Sequence, residues 1–159
     1  MRIEIFGDGI DRSQINKTQH KITARCVVVN EGKVLAVHFL STDHYNLPGG
    51  GIEKHETLEI GLKREVLEET GYQVIVLSES IIIMEYYPES TWETHFFKCE
   101  LTDSNQCSVT LTEEEISSGL TPVWIELYAF LEILETAPTR HPYGQNIHQR
   151  ELIGLLNSL

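Results

Sequence analysis

The sequence predicts an α/β fold, an α/β/α sandwich with a mixed β-sheet between helices. Three observations predict it. Runs rich in β-branched and aromatic residues recur at 22–29, 33–40, 81–87 and 93–101. Helical patterns occupy 57–70, 127–135 and 146–157, and glycine or proline turns punctuate both kinds of segment. Strands interleaved with helices call for a sheet covered on both faces. With 159 residues and 41% hydrophobic content, the chain is expected to be one domain, 1–159, that buries a proper core.

Taken in order, residues 3–6 read as a short strand. The polar segment to about residue 20 reads as an N-terminal extension or a dimer contact. Residues 22–29 and 33–40 are β-rich runs joined by Asn30-Glu31-Gly32, a hairpin turn. A loop over 41–55 leads into the helix at 57–70, for which Thr57 is the N-cap. Strands follow at 74–77 and 81–87, with a break near 78–80, and Pro88 turns the chain into a strand at 93–101. Residues 102–112 are polar. Thr112-Glu113-Glu114-Glu115 opens one helical turn, and Val123-Trp124-Ile125 is a short strand. Helices at 127–135 and 146–157 follow, separated by Pro138 and Pro142, and the second carries Ile147, Leu152, Leu155 and Leu156 as its apolar residues.

Charge narrows the function classes. With 24 acidic residues against 12 Lys and Arg, the net charge of −12 argues against binding a nucleic acid polymer or an anionic membrane. A small phosphorylated substrate stays open, because a bound cation reverses the local field. Cys26, Cys99 and Cys107 are scattered, which argues against a disulfide framework or a zinc cluster and favours a cytoplasmic setting. Cys26 and Cys99 lie in apolar runs and read as buried small residues. No apolar stretch follows Arg2, so no signal peptide is expected, and no window approaches a membrane span. The histidines show no HxH or HExxH spacing, so His38, His44, His95, His141 and His148 read as structural or surface groups rather than zinc ligands.

The chemistry concentrates in the helix at 57–70. Its C-terminal turn carries partial negative charge, where acids cost stability, yet Glu68 and Glu69 sit just before the helix-stopping Gly71. Glu65 lies four residues before Glu69 and beside it. At 100° per residue, Leu58, Leu62, Glu65 and Glu69 share a narrow arc, with Glu68 displaced to one side. Ile60 and Leu67 fall on the opposite side, which predicts a helix covered on two flanks. A bound cation would explain the acids, since carboxylates are the ligands that Mg²⁺ and Mn²⁺ prefer. Three glutamates alone fit a solvated helix end as readily.

The spacing carries more than the acids do. Gly50 is followed by five residues, Glu56, seven residues, Arg64-Glu65-Val66, one residue, Glu68-Glu69, one residue and Gly71-Tyr72. This pattern resembles the Nudix box, the signature of hydrolases that cleave a nucleoside diphosphate linked to another group. The match covers 23 of 159 residues directly, and Leu47-Pro48-Gly49-Gly50-Gly51 in front agrees with the same family. His55 stands where that family usually has glycine, and Tyr72 where it has an aliphatic residue. Neither departure removes a charged group.

The resemblance implies the Nudix fold and a divalent-metal-dependent hydrolase, using Mg²⁺ or Mn²⁺ and water attack on phosphorus. Its substrate would be a small diphosphate, such as a nucleoside triphosphate, a nucleotide sugar or a dinucleoside polyphosphate. Glu65, Glu68 and Glu69 are the candidate metal ligands, and the family gives Glu65 and Glu69 the greater weight. Arg64 and Glu56 would pair and tie down the glycine loop, and Gly49, Gly50 and Gly51 would let backbone approach metal and phosphates. The general base would be a box glutamate or a distal acid, with Glu113, Glu114 and Glu115 as candidates. Tyr86, Trp92 and Phe96 are candidates for stacking on a base, and Arg25 for meeting a phosphate. The loops at 41–46, 86–92 and 138–146 would set substrate choice. A homodimer is one expected assembly. The alternative is a non-catalytic nucleotide-binding or regulatory domain on the same scaffold.

Overall fold

Strand β1 (Arg2–Phe6) runs parallel to β6 (Val74–Tyr86), β6 pairs antiparallel with β7 (Ser90–Leu101), and β7 pairs parallel with β2 (Gln19–Val27). The order β1-β6-β7-β2 makes one mixed sheet. In this computed structural model the described residues are 1–7, 10–17 and 19–159, so the dimer contact expected of 1–20 falls partly outside them. A second sheet is built on β4 (Lys33–Phe39). It pairs antiparallel with the short β3 (Val29–Asn30), with β5 (His44–Asn46) and with β8 (Leu120–Glu126).

Helix α1 (Leu58–Thr70) packs against β2, β6 and β8, while α3 (Leu127–Thr136) and α4 (Gly144–Ser158) lie against each other, with α3 on β4 and β8 and α4 on β5, β6 and β7. Strand alternation sorts the core into two clusters. Ala24, Cys26, Val28, Leu35, Phe97 and Cys99 face Leu62 and Val66 of α1. Val27, Val34, Ala36, Ile83 and Phe96 face the side of Phe130, Leu134 and Leu155 from α3 and α4. This is the expected α/β arrangement with helices flanking a mixed sheet. Cys26 and Cys99 are buried free thiols, as expected, and Cys107 is exposed. Among the described residues, no helix is long and apolar enough to cross a membrane.

Several local expectations are corrected. The hairpin at 22–29 and 33–40 is only two residue pairs long, Val29 with Val34 and Asn30 with Lys33. Glu31 and Gly32 form its tight turn at φ 48 and 76, after which β2 and β4 diverge into different sheets. The break near 78–80 is absent. β6 runs continuously and absorbs the disruption as irregularities between Val76 and Ser78 and between Glu79 and Ile81. The 41–55 loop contains β5, and the helical turn at 112–115 extends into α2 (Glu113–Ser118), closed by a full capping box between Thr112 and Glu115. Ile60 is 58% exposed, so α1 is not covered on that flank. Leu156 is likewise exposed, whereas Leu155 fills the core.

The two sheets meet along β2, and this seam places the glycine loop. Cys26 N–H donates to Pro48 O at 2.8 Å, Ala24 N–H to Gly50 O at 3.0 Å, and Ile52 N–H to Ile22 O at 3.1 Å. Residues 48–52 are therefore laid antiparallel along β2 immediately before the chain enters α1.

Candidate active site

Thr57 caps α1 by accepting from Ile60 N–H, and Gly71 ends it at φ 75. The last carbonyls are satisfied by the following loop: Thr110 N–H donates to Glu68 O at 2.8 Å and Gln106 Nε2 to Thr70 O at 2.9 Å. Those donors offset part of the negative helix end that the acids share. Tyr72, the unusual closing residue of the box, packs edge-on against Trp124 and accepts from its Nε1 at 3.2 Å.

Arg64 grips the loop. Its Nε and Nη2 donate to the two oxygens of Glu56 at 2.6 and 2.9 Å, and Nη2 also reaches Gly51 O at 3.1 Å. The bidentate pair holds the Glu56 carboxyl down at about 2. Its Nη1 also meets Glu65 Oε1 at 2.6 Å and Glu68 Oε2 at 3.1 Å, so the same guanidinium reaches the acids.

The glycines divide by role. Gly49 has φ 134, and a Cβ there would lie 2.1 Å from Ala24 O, so only glycine fits. A Cβ on Gly50 would fall 2.4 Å from Glu65 Oε2, whereas one on Gly51 would meet open space. The glycine loop therefore touches the carboxylates through Gly49 and Gly50.

Of the three helix acids, two converge with a third from elsewhere. Glu65, Glu69 and Glu115 each offer an oxygen lying within 4.8 Å of the others. Glu69 is 4% exposed, and its Oε2 accepts from Gly49 N–H at 2.8 Å. Burial pushes its pKa up to about 8 against the pull of Arg25 and the Gly49 amide, and burial raises that of Glu65 as well. Glu68 stays outside the triad, 40% exposed and paired to Arg64. Among the distal acids, Glu115 joins the triad, Glu114 lines the neighbouring cleft, and Glu113 does neither. A dication suits this arrangement. The donors are hard carboxylate oxygens, and among the described residues no cationic side chain makes a salt bridge to the deeply buried Glu69.

Beside the triad opens a cleft of about 700 Å³, lined by Arg25, Trp92, Glu114 and Glu115 together with His44, Asn46, Tyr87 and Tyr143 from the loops at 41–46, 86–92 and 138–146. Glu85 and Arg150 line it as well, and the sequence did not single them out. Two sequence candidates are absent from it. Phe96 shares the face of Trp92 on β7 but is fully buried under Gly154 of α4, whereas alternation turns Tyr86 away from the cleft, where it packs on Phe6 and donates to Glu4 at 3.0 Å. Trp92 remains, with Lys21 Nζ 4.7 Å from its ring. Arg25 lines the cleft, but its Nη1 is already bonded to Leu47 O at 3.2 Å and to Gly49 O, and burial lowers its pKa. Burial also drives His44 down to about 4, with nearby His141 adding to the effect.

Comparison with known proteins places this geometry. Residues 19–143 match the NUDIX domain family. A MutT-like protein of Streptomyces ambofaciens is 34% identical over 144 residues, covering 84% of this chain and 88% of that protein. An 8-oxo-dGTP diphosphatase of Buchnera aphidicola is 40% identical over 53 residues, 33% of this chain and 43% of that one. Among solved structures, a NUDIX hydrolase from Nitrosomonas europaea superposes with a TM-score of 0.65 at 20% identity, covering 86% of this chain and 90% of that one. The chain belongs to the Nudix family of pyrophosphohydrolases.

Proposed function

We propose that the protein hydrolyses the diphosphate linkage of a nucleoside diphosphate derivative, with Mg²⁺ or Mn²⁺ held by Glu65, Glu69 and Glu115. The observation that carries this reading is the convergence of those carboxylates within 4.8 Å beside a cleft that Glu115 lines. When bound, the cation supplies charge neutralisation of phosphate oxygens and a water of lowered pKa. The chain's own residues do the rest. Arg64 and Glu56 lock Gly51 and orient Glu65 and Glu68. Gly50 and Gly51, which carry no side chain, give phosphates a close backbone approach. Glu114, lining the cleft without belonging to the triad, is the candidate proton acceptor for the attacking water.

A cleft of about 700 Å³ accommodates a whole nucleotide, and Tyr87, Trp92 and Tyr143 supply aromatic surface for its base. The 8-oxo-dGTP diphosphatase relative favours a non-standard nucleoside triphosphate as the first substrate to try. Incubation with triphosphates, nucleotide sugars and dinucleoside polyphosphates, each with Mg²⁺ or Mn²⁺ and with phosphate and pyrophosphate detection, tests the reading. Turnover of one class that disappears with chelator is expected. Nucleotide binding with no product from any class would favour a non-catalytic domain instead.

A further inference from the structure

Helix α4 lies beyond the residues matched to the family, yet it carries polar side chains into the interior. His148, Arg150 and Glu151 are all buried, and Glu151 is 0% exposed. It lies between Ile147 and Leu155 on one helical face, where an apolar residue would bury at lower desolvation cost. What an apolar residue could not do is accept hydrogen bonds. Glu151 Oε1 takes those of Arg150 Nε and Nη2 at 2.8 and 2.6 Å, and Oε2 takes Leu47 N–H at 2.8 Å. One helical turn earlier, His148 Nε2 accepts from Tyr45 N–H at 3.1 Å. Two side chains one turn apart thus hold alternate amides of the strand that feeds the glycine loop.

From Leu47 the contacts continue inward. Arg25 Nη1 bonds Leu47 O and Gly49 O, tying the two peptides to one guanidinium, and Gly49 N–H donates to Glu69 Oε2 at 2.8 Å. On the other side, Arg150 Nη1 donates to Glu85 Oε2 at 2.9 Å, and Glu85 Oε1 accepts from Tyr87 O–H at 2.7 Å on the cleft wall. Opposed charges on Glu85 and Glu151 hold the Arg150 guanidinium between them, so the side chain that braces Glu151 is itself fixed.

We propose that Glu151 is a positioning residue for the metal centre: by holding the Leu47 amide it fixes the Gly49 peptide and, through it, the Glu69 carboxylate. This rests on the reading above that Glu69 binds a cation. Two substitutions separate the contacts. Glu151→Gln can accept from Leu47 or face Arg150 with an oxygen, but not both. Glu151→Asp keeps its charge beside Arg150 and is too short to reach Leu47.

The test measures Mn²⁺ affinity by calorimetry, amide hydrogen exchange at Leu47 and Gly49, and kcat and KM on any substrate found. Leu155→Ala, in the core of the same helix, serves as the control. Both Glu151 variants are expected to weaken Mn²⁺ binding about tenfold, the scale typical of residues that orient a metal ligand. They should also speed exchange at Leu47 and lower kcat with little change in KM. Leu155→Ala should melt earlier while keeping wild-type Mn²⁺ affinity and kcat. Wild-type Mn²⁺ affinity in the Glu151 variants overturns the proposal, and so does an equal loss in Leu155→Ala. Should neither Glu151 variant fold, fast exchange of the Leu47 amide in the unsubstituted protein overturns it, and strong protection there upholds the anchored amide. A wild-type protein that binds no Mn²⁺ fails the functional reading itself, which is a different result.

Discussion

Glu69 and Glu115 bring carboxylate oxygens within 4.8 Å of one another from two separate helices, one at the end of α1 and the other in the first turn of α2. Two acids this close, one of them buried, repel unless a proton or a cation lies between them.

Glu69→Gln is nearly isosteric and removes the charge. The metal-free protein should melt at the wild-type temperature or slightly above it, because burial already disfavours this carboxylate and pushes it to about 8. Turnover should fall by about a hundredfold or more, the scale of losing a group that stabilises transition-state charge. Calorimetric melting and initial rates on one preparation check both signs.

Glu115→Gln should weaken Mn²⁺ binding more than Glu68→Gln does. Among the described residues Glu68 forms its salt bridge with Arg64 and is partly exposed, whereas Glu115 joins the triad. Glutamine at the third helical position still completes the capping box, so the substitution isolates charge from helix stability. Titration of each variant with Mn²⁺ decides the order.

Gly50→Ala and Gly51→Ala should differ sharply. The first places a methyl 2.4 Å from Glu65 Oε2 and must displace that carboxylate, and the second places it in open space. Loss of metal affinity is expected for Gly50→Ala and near-wild-type behaviour for Gly51→Ala.

Acid stability should report the Arg64–Glu56 pair. Glu56 has a folded pKa near 2 against an ordinary 4.5, so between those values the unfolded chain binds more protons. Its contribution is present above pH 4.5 and is lost as pH falls toward 2. Chemical denaturation across that window should give a flatter profile for Glu56→Gln than for the wild type.

The box and α1 were legible because fixed spacing and helical period act over one short segment. The same local view could not separate β2 from β4. Glu31 and Gly32 do form a turn, and only the pairing of β2 with β7 reveals that the strands part. Glu115 was one of three neighbouring acids, and the phase of α2 on the sheet selects it. Tyr86 and Tyr87 are adjacent, so a one-residue difference in facing decides which meets the cleft. Tyr143, His44 and Asn46 lie in the loops at 138–146 and 41–46 that read as setting substrate choice, but long-range packing decides which residues of those loops reach the cleft. Glu151 did leave one: a carboxylate on the apolar stripe of Ile147 and Leu155, where charge needs a buried partner.

Crystals soaked with Mn²⁺ and a non-hydrolysable diphosphate test the central claim most directly. An anomalous peak coordinated by Glu65 and Glu69 is expected, with Glu115 bound directly or through one water. No peak beside Glu65 and Glu69 with the diphosphate in place would contradict it.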